Sequence, residues 1–183
     1  MEIRETPIKD VYEIYPSVFK DERGYFLETY KKDLFEKHGL PTDWMQDNQS
    51  YSMAGILRGL HFQYGEYAQA KLARVILGKV LDVCVDLRKD SPTFGKHHSL
   101  ILDSNQHNML YVPKGFAHGF AVLEDAVFSY KCSNLYHKES EGGIIWNDAE
   151  LNIDWKVADP ILSEKDKLWP SLTEFKKISG GGL

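Results

Sequence analysis

Apolar and polar residues alternate with a period of two through the middle of the chain. In KVLDVCVDL (79–87), Leu81, Val83, Val85 and Leu87 fall on one face, while Val80, Asp82, Cys84 and Asp86 alternate with them. That spacing predicts a half-buried strand, since successive side chains of a strand point to opposite faces. AKLARVILG (70–78), HSLILD (98–103), NMLYVP (108–113), HGFAVLE (118–124) and AVFSYKC (126–132) repeat the pattern. Turn signals in RKDSPTFG, DSNQ and PKGF separate several of these runs. Helical periodicity is confined to KKDLFEKHG (31–39), which stops at Gly39, and to two short C-terminal segments. The prediction is all-β, a sandwich, jelly roll or barrel, with a few short peripheral helices.

Length and composition narrow this picture. The 183 residues suit one domain, expected over 1–178, with SGGGL (179–183) as a flexible tail. Hydrophobic residues make up 43% and aromatics 13%, enough for a sizeable core. Twenty-seven acids against 22 bases leave a net charge of −5, which argues against nucleic acid or an anionic membrane as partner, so anion binding must be local. Two distant cysteines, Cys84 and Cys132, form no CxxC and suggest a reducing, cytoplasmic setting. The charged N-terminal stretch and the lack of a long apolar run predict neither signal peptide nor membrane anchor.

Chemistry enters where polar groups interrupt apolar strands. ILRGLHFQ (56–63) carries Arg58 and His61 through an otherwise buried run. A histidine there is commonly just a hydrogen-bonded core residue, but an arginine three residues away is costly to bury without an anion, so the pair suggests a cavity. Strict alternation would send the two to opposite faces. A bulge or kink at Gly59 would bring them together. Lys71 shares parity with Ala73 and Val75, an apolar face where an ammonium needs a negative partner. Tyr130, in parity with Phe128 and Cys132, reads equally as core or as a proton donor, and His118 stands at the mouth of a strand after a Pro/Gly turn. Asp166 fits a capping box with Ser163 as well as a catalytic role. Arg23, Phe26 and Glu28 in DERGYFLETY, and Gln46 and Asn48 in QDNQS, offer hydrogen-bonding and stacking groups in stretches that are usually solvated turns. The HxH pair and trailing glutamate of metal-binding cupins is missing around both candidate histidines, and adjacent His97 and His98 cannot share a face, so no metal is expected.

Nine blocks in order, FKDERGYFLETY, QDNQS, ILRGLHFQ, AQAKL, VDLRKDSPTFG, YVPKGFAHGF, YKCSNLY, GGIIWND and LSEKD, span nearly the whole chain. Together they resemble the dTDP-4-dehydrorhamnose 3,5-epimerase family. The resemblance implies a metal-free cupin-like antiparallel jelly roll, a homodimer, no cofactor, and a dTDP-linked 4-keto-6-deoxy sugar as substrate. It implies His61 as base, Asp166 as its orienting partner, Tyr130 as proton donor and Lys71 beside the keto oxygen. Arg58 matches a residue that binds the anionic part of the substrate. Arg23, Glu28, Gln46, Asp47, Asn48, His118, Tyr136, Glu141 and Lys165 match substrate-contact positions, and Phe26 adds an aromatic face for stacking. Gln49 departs from the pattern, standing where the family carries histidine. The competing readings are an epimerase acting at C3 or C5 alone, a metal-dependent cupin oxygenase, and a non-catalytic sugar-nucleotide-binding cupin.

Overall fold

The alternation over residues 70–87 resolves into one strand where the sequence predicts two. In the computed structural model, which describes residues 1–183, the strands and helices run β1 (Glu2–Glu5), β2 (Tyr12–Tyr15), β3 (Val18–Asp21), β4 (Gly24–Leu27), α1 (Lys32–Lys37), β5 (Gln46–Ser52), β6 (Leu57–Gln63), β7 (Lys71–Asp86), β8 (His97–Asp103), β9 (Met109–Val112), β10 (Phe116–Cys132), β11 (Glu141–Gly143) and α2 (Leu172–Ile178). The two predicted runs 118–124 and 126–132 likewise join into β10. β7 and β10 pair antiparallel along nearly their whole length. Each changes its outer neighbour halfway: β7 pairs with β9 over 71–74 and with β8 over 79–85, and β10 pairs with β6 over 118–121 and with β5 over 126–132. Two long strands that each serve two neighbours roll the sheet into the expected jelly roll.

The roll turns at Gly78 of β7. Its φ of +78° lies in the left-handed region, and a Cβ there would stand 2.0 Å from the Asp125 carbonyl oxygen. The β7–β10 register slips at this point. One consequence is invisible to simple alternation: the interior face of β7 carries odd-numbered Ala73 and Val75 before the glycine and even-numbered Val80 and Cys84 after it. These pack with Phe120, Val122 and Phe128 of β10 into one cluster.

The other face of β7 is buried as well, which corrects the half-buried expectation. Leu81, Val83, Val85 and Leu87 pack with Leu57, Leu60 and Ala117 beneath Ile144, Leu151, Trp155, Leu172 and Phe175 from the C-terminal third. That third is thus a cover, and it reads as irregular because its contacts are tertiary. A real capping box starts α2, where Ser171 Oγ accepts from Glu174 N and the Glu174 carboxylate accepts from Ser171 N. At Ser163 only half of that arrangement exists: its Oγ accepts from Asp166 N, and the Asp166 carboxylate turns elsewhere. The last residues lie along 87–89, with Leu183 N donating to Leu87 O and Lys89 N to Leu183 O. No helix is long and apolar enough to cross a membrane.

Candidate active site

β6 shows how a buried strand accommodates both Arg58 and His61. Along β10, His118 pairs with His61 and Phe120 with Arg58, so β6 spends three steps where β10 spends two. The extra residue is a bulge, and it falls at Gly59–Leu60. Gly59 has φ +139°, and a Cβ on it would stand 2.6 Å from the Gly119 Cα, so glycine is required at this crossing. With alternation broken, Arg58 and His61 both line one cavity of about 760 Å³.

Asn48, Lys71, His118, Tyr130, Lys165 and Asp166 line the same cavity. It runs, through shared Asn48, His61, Lys71 and Tyr130, into a second space of about 340 Å³ edged by Gln46, Tyr136 and Glu141. Asp166, 105 residues from His61 in sequence, lies on the short turn Lys165–Lys167 of the C-terminal cover and meets His61 Nε2 at 2.5 Å. A carboxylate can only accept, so Nε2 carries the proton and Nδ1 is left as the basic nitrogen. Burial acts to raise the Asp166 carboxyl, but the bond and charge of His61, with Ser163 and Trp169, outweigh it and hold the pKa below the usual carboxylate value. Burial raises the Tyr130 phenol, keeping it a proton donor, and lowers the Lys71 ammonium, which makes no ion pair and sits 5.8 Å from the centre of the Tyr130 ring.

At the rim, Lys165 Nζ donates to Glu141 Oε1 at 2.6 Å and Tyr136 OH to Glu141 Oε2 at 3.1 Å. Gln46 is held by Asn48 and by Tyr136 N, and Arg58 Nε donates to Ser52 Oγ. Four expected contact residues lie outside the cavity of their own chain. Arg23 pairs with Asp21 on the β3–β4 hairpin, whose two strands form a separate sheet; Phe26 is 65% exposed there; Glu28 lies 3.9 Å from Lys31. Asp47 points to the outer face of β5 and is held by Lys131, because its neighbours Gln46 and Asn48 take the inner face. Gln49 does line the cavity. Sequence reasoning missed Asp82, whose buried carboxylate stands behind His118 at 2.8 Å; the signal was an acid on an apolar strand, the same that singled out Lys71. It also missed Gln63, which ties the Tyr67 and Leu135 carbonyls and His137 N together under the second space.

A rolled antiparallel sheet whose interior gathers an oriented imidazole, a phenol and an unpaired ammonium defines a jelly-roll protein with a site built for proton transfer. The dTDP-4-dehydrorhamnose 3,5-epimerase family model matches residues 5–174. The dTDP-4-dehydrorhamnose 3,5-epimerase of Shigella flexneri is 49% identical over 168 residues, covering 91% of this chain and 93% of that one. The crystal structure of the Elizabethkingia anophelis dTDP-4-dehydrorhamnose 3,5-epimerase superposes with a TM-score of 0.91 at 52% identity, covering 95% and 97% of the two chains. The Legionella pneumophila dTDP-6-deoxy-D-glucose-3,5-epimerase, solved in complex with dTDP-4-keto-L-rhamnose, gives 0.90 at 42% identity, covering 94% and 93%. The chain belongs to the dTDP-4-dehydrorhamnose 3,5-epimerase family.

Proposed function

We propose that the protein converts dTDP-4-dehydro-6-deoxy-D-glucose to dTDP-4-dehydro-L-rhamnose by removing and returning protons at C3 and C5. The observation that carries this reading is the His61–Asp166 pair opening onto a cavity shared with Lys71 and Tyr130. A C4 ketone acidifies the hydrogens on both adjacent carbons. His61 Nδ1 takes one of them, and Asp166 steadies the positive charge that arrives on the ring. Lys71 stabilises the enolate oxygen. Inversion needs a proton returned to the opposite face, and Tyr130 supplies it. Each half of the cycle moves one proton onto the protein and one off it, with no electron transfer. Arg58 and Lys165 at the rim suit the diphosphate, whose oxygens match a guanidinium fork and an ammonium.

The β3–β4 hairpin supports a homodimer. Phe19, Tyr25 and Phe26 are 61%, 58% and 65% exposed on it, a cost in water that a partner surface removes. In this reading Arg23, Phe26 and Glu28 reach the substrate of the second subunit. Free, buried Cys84 and Cys132 are consistent with a cytoplasmic enzyme.

The test is to incubate the protein with dTDP-4-keto-6-deoxyglucose in deuterated water and follow the C3 and C5 protons by NMR. Label at both carbons supports 3,5-epimerisation, label at one restricts it to that carbon, and label at neither overturns it. Mixing inactive Arg23→Ala and His61→Ala proteins restores activity if the hairpin serves the partner's site; no restoration rules that out.

A further inference from the structure

The cavity holds a second imidazole–carboxylate pair. His118 of β10 lies directly across from His61 of β6, and both line the same space. Behind His118, Asp82 of β7 is fully buried, and its Oδ1 meets His118 Nε2 at 2.8 Å. Its other oxygen, Oδ2, is buried with no hydrogen-bond partner. An unpaired buried carboxylate oxygen is costly, and an asparagine or an apolar residue would carry less of that cost. The cost brings no visible packing gain, so it points to a task. Asp82 shares the interior face of β7 with Lys71 only because the slip at Gly78 reverses the alternation between them.

We propose, on the epimerase reading above, that Asp82 is a positioning residue of the reaction: it takes the Nε2–H of His118, fixes that tautomer, and so sets Nδ1 as the edge presented to the bound sugar, while its free oxygen faces the Lys71 side of the interior. The carboxylate accepts only, so the ring has no choice of which nitrogen to protonate toward it. His61 and His118 are thereby oriented in the same way, by carboxylates reached from opposite sides: Asp166 from the C-terminal cover and Asp82 from the central strand. Burial pushes the Lys71 ammonium down, and Cys132, Asp82 and Glu141 oppose that push. Asp82 therefore serves both groups that hold the sugar during proton transfer.

The experiment uses the full-length protein labelled with ¹⁵N-histidine, with His118 assigned through His118→Gln. Wild-type His118 is expected to carry its proton on Nε2. In Asp82→Asn, whose amide can accept or donate, both tautomers are expected, with kcat for the 4-keto sugar nucleotide lowered about 10²-fold and KM changed by less than about threefold. His118→Gln should lose a similar factor, and the double variant should lose no more than either single, as for groups that act as one unit. An unprotonated wild-type Nε2 overturns the proposal, as does a folded Asp82→Asn with kcat within about twofold of wild type or a fully additive double variant. If Asp82→Asn fails to fold, the wild-type tautomer and the His118→Gln kinetics decide. Absence of any exchange by wild-type protein would instead sink the epimerase reading, and the tautomer measurement would still stand by itself.

Discussion

Replacing Asp166 by asparagine isolates the charge of the His61–Asp166 pair while keeping its shape. At 2.5 Å, with Asp166 2% exposed and His61 half-buried at the cavity wall, this is a charge-assisted hydrogen bond. Asparagine can still accept from Nε2–H through its carbonyl, so the fold should persist. What disappears is the difference between a charged and a neutral partner, about 1–2 kcal/mol, or roughly 5- to 30-fold in rate at 1.4 kcal/mol per decade. If the amide flips, its NH₂ faces the ring and the wrong tautomer is selected, which raises the loss toward ~10⁴. The expected outcome is a fall in kcat of between about 5- and 10⁴-fold, with KM little changed because Asp166 acts through His61. The assay is the rate of deuterium entry at C3 and C5, alongside urea denaturation to verify folding. A folded Asp166→Asn protein exchanging both protons at the wild-type rate would refute the assignment of Asp166 as the group that orients and charges the base.

Tyr130→Phe should impair inversion more than the first exchange, because it removes the returning proton and leaves the base; NMR that separates washed-out label from epimerised product checks this, and full epimerisation would remove Tyr130 as the acid. Burial lowers the Lys71 ammonium, so kcat should decline on the alkaline side before a free lysine would titrate, and Lys71→Arg should abolish that limb even if it slows the reaction; a pH–rate profile decides. Asp86 is fully buried: burial raises its carboxyl, but bonds from Arg88, Ser91 and Thr93 prevail and lower it, as the His61 contacts do for Asp166. A carboxyl depressed in the folded state contributes stability above its unfolded value of about 3.9, lost as pH falls through the lower folded value. Stability followed by denaturant titration should therefore drop steeply below about pH 4, and Asp86→Ala, which removes the shared acceptor of Arg88, Ser91 and Thr93 but leaves Arg88 paired with Asp10, should cost roughly 1.5–3 kcal/mol at neutral pH. Gly78→Ala should cost about 2–4 kcal/mol, combining left-handed backbone with a Cβ driven into the Asp125 carbonyl; a loss under about 0.5 kcal/mol would show that the bend does not depend on glycine.

Strand content was legible because alternation is a local property: φ and ψ in the extended region place successive side chains on opposite faces whatever the strand pairs with. Lys71 and His61 were legible for a related reason, since a charge or imidazole in an apolar run conflicts with burial on its own evidence. The half-buried reading of 79–87 failed because burial of the second face depends on Ile144, Trp155 and Phe175, which lie more than fifty residues downstream and carry no periodic signal.

The order of the blocks, the β-rich character and the kinds of group available for proton transfer are properties of the chain itself. Tertiary structure alone decided which of those groups meet. Register is set between strands, so the bulge at Gly59 that joins Arg58 to His61, and the slip at Gly78 that turns Lys71 and Asp82 to one face, exist only once β10 is in place. Asp166 reaches His61 across 105 residues because the C-terminal cover packs on the outer face of the sheet, while Arg23 and Phe26 leave the cavity because their hairpin forms a sheet apart. Side-chain identity specifies what chemistry is possible; the packing of distant segments specifies where it happens.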